Sequence, residues 1–88
     1  VLILKKEHEF RVQKIPSSID NLRNLRGLYL SSNQLSCVPS SLSRCVALQE
    51  CYLDNNQLVT IPDCLTSLPE LNIMSLANNS LGNVLTKL

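Results

Sequence analysis

Leu25-Arg26-Gly27-Leu28-Tyr29-Leu30-Ser31-Ser32-Asn33-Gln34-Leu35 is answered 23 residues on by Leu48-Gln49-Glu50-Cys51-Tyr52-Leu53-Asp54-Asn55-Asn56-Gln57-Leu58. After 23 more residues comes Leu71-Asn72-Ile73-Met74-Ser75-Leu76-Ala77-Asn78-Asn79-Ser80-Leu81. A second pattern runs in the same register: Ile15-Pro16-Ser17-Ser18-Ile19, Val38-Pro39-Ser40-Ser41-Leu42 and Ile61-Pro62-Asp63-Cys64-Leu65. Each copy then reaches one further apolar site, at Leu22, Cys45 and Leu68. Two patterns sharing one period describe a single structural unit, copied along the chain, that buries its apolar face against its neighbours.

Within a unit, Leu28-Tyr29-Leu30 alternates apolar and outward residues over a short stretch, which predicts a strand with one buried face. Stacked units would place such strands in parallel, about 4.8 Å apart. Pro16, Pro39 and Pro62 fix φ and cannot donate to a ladder, so they end the extended path and admit a turn or short helix. Ser17-Ser18, Ser40-Ser41 and Asp63 have the chemistry of helix caps. Residues 48–70 then offer seven inward apolar sites, at Leu48, Cys51, Leu53, Leu58, Ile61, Leu65 and Leu68.

The pattern L-x-x-L-x-L-x-x-N-x-L, closed by Ile-Pro-x-x-Leu, resembles the leucine-rich repeat family. The period of 23 and the Ile/Val-Pro step are similar to the subclass common in intracellular signalling scaffolds. The resemblance implies an α/β solenoid: a curved right-handed coil with parallel strands on the concave face and short helices or turns on the convex face. It also implies that Asn33, Asn56 and Asn79, which share one column, form a structural asparagine ladder. An amide can both donate and accept, so each could serve loop backbone in its own unit and the next.

The 88 residues read as one domain: 1–24 an irregular or partial first repeat, 25–47 and 48–70 full repeats, and 71–88 a truncated last one. Counting back 23 from Leu25 reaches Leu2, but Lys5, Glu7 and Phe10 then fall on the next pattern sites. The preferred alternative makes Leu2 and Leu4 the inward pair of a strand, with extra residues in the loop before Val12. Lys5-Lys6-Glu7-His8-Glu9 mixes charge signs and reads as a solvated loop. At the other end Val84 and Leu88 keep the pattern, Leu85 stands where a proline is due, and no capping motif follows. The sequence therefore reads as a piece of a longer array.

Composition narrows function. A net charge of +1, with dispersed charges, offers no basic stripe for nucleic acid or an anionic membrane surface. No apolar run approaches the roughly 20 residues needed to span a bilayer. There is no nucleophile beside a base, no glycine-rich phosphate loop around Gly27 or Gly82, and no Cys-x-x-Cys pair. Hence no enzyme activity, cofactor, metal or small-molecule ligand is expected. Among the four cysteines, Cys45 and Cys51 occupy core columns, whereas Cys37 and Cys64 lie in the outer half of their repeats. The four-cysteine cap typical of secreted members of the resembled family is missing. Reduced thiols in the cytoplasm are expected, with an extracellular alternative kept open by the sequon Asn78-Asn79-Ser80.

What remains is a surface for a protein partner. The outward strand positions are Arg26, Gly27, Tyr29 and Ser31; Gln49, Glu50, Tyr52 and Asp54; and Asn72, Ile73, Ser75 and Ala77. Both tyrosines of the chain fall in one column on adjacent strands. Tyrosine gives a large apolar face and a hydroxyl at low entropic cost, so Tyr29 and Tyr52 are the leading anchor candidates. Ile73 would extend their patch, with Arg26, Glu50 and Asp54 supplying charge. The function expected is protein–protein recognition on the concave face, as part of a larger signalling or scaffold protein. The alternatives are a recruitment or regulatory segment of a larger enzyme (a kinase, phosphatase, cyclase or ubiquitin ligase) and a purely structural spacer.

Overall fold

A computed structural model describes residues 13–81, together with the backbone of residues 2–5. Four short strands form one parallel sheet in chain order: β1 (Leu2–Lys5), β2 (Leu25–Tyr29), β3 (Glu50–Tyr52) and β4 (Ile73–Ser75). Between strands the chain crosses the outer half of each unit. It does so through 3-10 turns at Ser17–Asn21 and Ser40–Arg44 and a one-turn helix α1 at Asp63–Thr66. The register follows the sequence period: Gly27, Glu50 and Ile73 pair in one row, Leu28, Cys51 and Met74 in the next, and Tyr29, Tyr52 and Ser75 in a third. The ladder runs past the strand ends, where Leu30 N–H donates to Tyr52 O at 2.9 Å and Leu53 N–H to Ser75 O at 2.9 Å.

The core is a stack of identical columns between sheet and outer turns. Leu25 with Leu48, Leu28 with Cys51, Leu30 with Leu53, Leu35 with Leu58, and Leu42 with Leu65 are all buried, and Cys45 fills its column without solvent exposure. Cysteine serves there as a small hydrophobe. Apolar area removed from water drives the stacking, and every unit needs a neighbour to finish the burial. Among the described residues no buried side-chain polar atom lacks a partner. The outer turns also link across one ion pair, Arg44 to Asp20 at 3.5 Å. Its exposed geometry contributes little to stability.

Several sequence readings change. Ile61 is not a core residue: 43% of its surface is exposed, whereas Ile15 at the equivalent place is 3% exposed and Pro62 takes the buried position instead. The local path also differs there. Pro62 has ψ 105°, against 149° and 144° at Pro16 and Pro39, and leads into an α-helical turn rather than a 3-10 turn.

The outer serines and Asp63 do not cap their turns. The N-cap residues are the three prolines, and none of the turns has a side-chain cap. Ser41 Oγ instead donates to Ser17 O of the preceding unit at 2.7 Å, tying one turn to the next.

At the N-terminus, Lys5 closes β1 rather than opening a loop. The register is Leu2 with Leu25, then Ile3 with Gly27 and Leu4 with Leu28, with an irregularity after Leu2. Leu4 thus precedes its partner by 24 residues rather than 23, because Arg26 of β2 is passed over in the pairing between Leu25 and Gly27. Lys6, Glu7, His8, Glu9, Phe10 and Val12 lie outside the described residues, as do Gly82, Val84, Leu85 and Leu88.

Candidate functional site

Each unit turns sharply after its strand, and that turn sets the edge of the exposed sheet face. Ser32, Asn55 and Asn78, one per unit, hold left-handed backbone with φ of 59°, 58° and 57°. Asparagine visits this region readily and serine less so. The turn aims the following asparagine inward. Asn56 Nδ2 donates to Leu53 O at 3.0 Å and Asp54 O at 3.2 Å in its own unit, and to Leu30 O at 3.0 Å in the unit before. Its Oδ1 accepts from Leu35 N–H at 3.0 Å. Asn79 repeats the pattern one unit later, donating to Leu53 O and Leu76 O and accepting from Leu58 N–H. Asn33 donates to Leu30 O at 2.8 Å and Ser31 O at 3.1 Å. These amides replace the water that buried loop carbonyls would otherwise need.

The face itself is built from four rows. Arg26, Gln49 and Asn72 begin it, with Arg26 and Asn72 exposed and Gln49 half-buried. The next row is Gly27, Glu50 and Ile73. Gly27, read as an outward position, is buried. Glu50 stands beside it in register and leans across to β2, where its carboxylate accepts from Tyr29 Oη at 3.0 Å. A residue with no Cβ leaves room for that approach. Ile73, with 42% of its surface exposed, continues the row as an apolar spot.

Tyr29 and Tyr52 occupy the third row with Ser75. Their rings stack with centroids 5.0 Å apart and planes 19° apart. Tyr52 Oη donates to the other Glu50 oxygen at 3.3 Å, so one carboxylate receives both hydroxyls. Partial burial, then Glu50, raises the pKa of Tyr29 above its ordinary value, and Tyr52 is raised by the same two causes. In the fourth row Ser31 Oγ donates to Asp54 Oδ1 at 2.6 Å and Asn55 Nδ2 donates to Oδ2 at 3.2 Å. The Ser31 hydrogen bond is the main cause that holds the Asp54 carboxyl below its ordinary range, against some burial. Ala77 is exposed.

The face therefore brings together Tyr29, Tyr52, Glu50, Asp54, Ser31 and Ser75 as one connected surface, with Arg26, Gln49 and Asn72 along its starting edge. The sequence placed these residues side by side. The Glu50 clamp on both tyrosines and the left-handed column were not read from it, although Asn55 and Asn78 stand at a 23-residue spacing that could have signalled the latter.

Away from this face, two open clefts lie on the outer half. One, of about 350 Å³, is lined by Cys37, Val38, Leu58, Ile61, Pro62 and Cys64 among others. The second, of about 460 Å³, is lined by Lys14, Ile15, Pro16, Ser17 and Pro39. Among the described residues no group of three or more His, Cys, Asp or Glu side chains could hold a metal ion, and no helix is long and apolar enough to cross a membrane.

Parallel strands stacked at a fixed period, an internal asparagine ladder and a polar, tyrosine-bearing sheet face define a repeat solenoid. The leucine rich repeat family matches residues 12–58, more than half of the chain, and the chain belongs to that family. A solved structure of a leucine-rich-repeat protein from Leptospira interrogans superposes with a TM-score of 0.74 at 35% sequence identity, covering 78% of this chain. The match spans 18% of that longer protein. No curated protein matches the chain. Leucine-rich-repeat domains are generally protein-interaction modules rather than enzymes.

Proposed function

We propose that this chain is a protein-recognition segment that binds a partner protein across the exposed face of its sheet, within a larger signalling or scaffold protein. The observation that carries this reading is the stacked Tyr29–Tyr52 pair, half-buried and held upright by Glu50. Rigid aromatic side chains on a preorganised surface give up little entropy on binding. Gln49, Asn72, Ser31 and Ser75 supply hydrogen-bonding groups around the pair, Arg26 and Asp54 supply charge, and Ile73 extends the apolar area. Cys45 and Cys51, used as core hydrophobes with no disulfide, support a reducing compartment, and we place the protein in the cytoplasm.

The test is affinity capture from a lysate of the source cell, with the 88-residue chain and its Tyr29→Ala/Tyr52→Ala form as parallel baits. Circular dichroism confirms that both are folded. A partner held by the native chain and lost from the double variant supports the reading. Partners retained equally by both overturn it and move the search to the outer clefts.

A further inference from the structure

We propose that the sheet face takes an arginine side chain of its protein partner, with the guanidinium lying against the open side of the Tyr52 ring above Ser75, between Glu50 and Asp54. This rests on the proposed recognition function and names the chemistry recognised.

Tyr52 spends one ring face on Tyr29, which stands on β2. Its other face therefore looks toward β4. The residue in register there is Ser75, whose small side chain leaves the space beside the ring open. Glu50 and Asp54 lie two residues before and two after Tyr52 along an extended path, so they share its side of the sheet and sit roughly 7 Å to either side. Ile73, exposed, borders the Glu50 end. The result is a slot with an aromatic wall and a small polar floor, bounded by Asp54 at one end and at the other by Glu50, whose carboxylate sits at the two tyrosine hydroxyls.

Hydrogen bonds fix both carboxylates in place. Glu50 is oriented by two tyrosine hydroxyls and Asp54 by Ser31 and Asn55, with the Ser75 hydroxyl also turned toward Asp54. A carboxylate has about four acceptor sites, so Glu50, which accepts from the two tyrosines, keeps room for further donors, and Asp54 attracts a cation by its charge. Among the described residues neither carboxylate faces a cation, and the one ion pair, Arg44 with Asp20, lies on the outer turns. Lys5 holds the register position beside Tyr29, on the far side of the stacked pair from the slot. A guanidinium suits this geometry better than an ammonium. It is planar, stacks on a ring and offers donors in a fork that can reach both carboxylates.

The probe is a phage-displayed library of random dodecapeptides, panned on the 88-residue chain and depleted on its Tyr29→Ala/Tyr52→Ala form. The expected binders carry an arginine whose replacement by glutamine weakens binding about tenfold and by lysine about threefold. Glu50→Gln/Asp54→Asn should weaken them about tenfold, with a reduced dependence on salt. Ser75→Leu should block them by filling the slot, and circular dichroism checks that each variant is folded. Tyrosine-dependent peptides with no essential arginine would overturn the inference and leave the recognition function standing. Failure to obtain any tyrosine-dependent peptide would overturn both.

Discussion

Tyr29 and Tyr52 stack at a centroid distance of 5.0 Å and share a single acceptor, each hydroxyl donating to a different oxygen of Glu50. One residue thereby fixes the orientation of the two largest side chains on the sheet face. Gly27, beside Glu50 in register, leaves the space through which that carboxylate crosses to β2. The arrangement converts a sequence coincidence, two tyrosines 23 residues apart, into a rigid surface.

Phenolate absorbance should show both tyrosines ionising above the ordinary value of 10.0, through partial burial first and Glu50 second. Glu50→Gln should lower both midpoints without returning them fully to 10.0, because the burial remains. The folded chain holds these protons more tightly than the unfolded one. The associated stability is therefore complete below about pH 10, and is lost as the pH rises through the folded-state values. Midpoints that do not respond to Glu50→Gln would show that the carboxylate does not govern the pair.

Asn56→Ala should be among the most damaging single substitutions in the chain. It removes the donors to three backbone carbonyls and the acceptor for Leu35 N–H, in a position 8% exposed. Stranding these groups costs roughly 3–5 kcal/mol, to be read from urea unfolding. Asn56→Asp should not rescue it, since an ionised carboxylate has no hydrogens to offer the carbonyls. Asn79→Ala should cost less, about 1–2 kcal/mol, because its half-buried groups can turn to water. Equal losses at the two positions would contradict the assignment.

The repeat was legible because it is written three times. The 23-residue period, the leucine columns and the outward rows follow from alternation and spacing alone, and Cys45 and Cys51 could be placed in the core by column. Ile61 and the outer serines were not, since both depend on the path a unit takes after its proline. Around Pro62 the path differs from the other two units and Ile61 is exposed, and proline rather than serine occupies each N-cap. Gly27 keeps its place in the outward row with Glu50 and Ile73 but is covered, because burial of a residue without a side chain is decided by its neighbours. The Glu50 clamp depends on side-chain rotamers across two strands, which periodicity does not encode.

Ser32→Asn should stabilise the chain by about 0.5–1 kcal/mol. Ser32 holds φ of 59° at a position where the next two units use asparagine. Its backbone N–H donates to Asp54 O at 3.0 Å, as Asn55 N–H does to Ala77 O at 2.9 Å, and neither bond depends on the side chain. The substitution therefore relieves backbone strain and keeps the ladder. The reverse change, Asn55→Ser, should lose at least as much, because it also removes the Asn55 Nδ2 bond to Asp54 Oδ2. A shift of the same sign for both changes would rule out backbone conformation as the cause.

Thiol reactivity should separate the four cysteines in a fixed order. Cys37 is exposed and should react first with an aromatic disulfide reagent at neutral pH. Cys64 is half-buried, its thiol donates to Pro39 O at 3.6 Å, and burial raises its pKa, so it should follow more slowly. Cys45 and Cys51 are fully enclosed, and burial pushes the Cys51 thiol up to about 12. Only thiolate attacks, so these two should react at the rate at which the chain opens. Peptide mass mapping of partly labelled protein reads the order directly. The labelling rate of Cys51 should also rise with urea in step with unfolding, whereas that of Cys37 should stay flat. Rapid labelling of Cys51 in folded protein would mean that its column between Leu28 and Met74 is open to solvent and that the stack is not closed there.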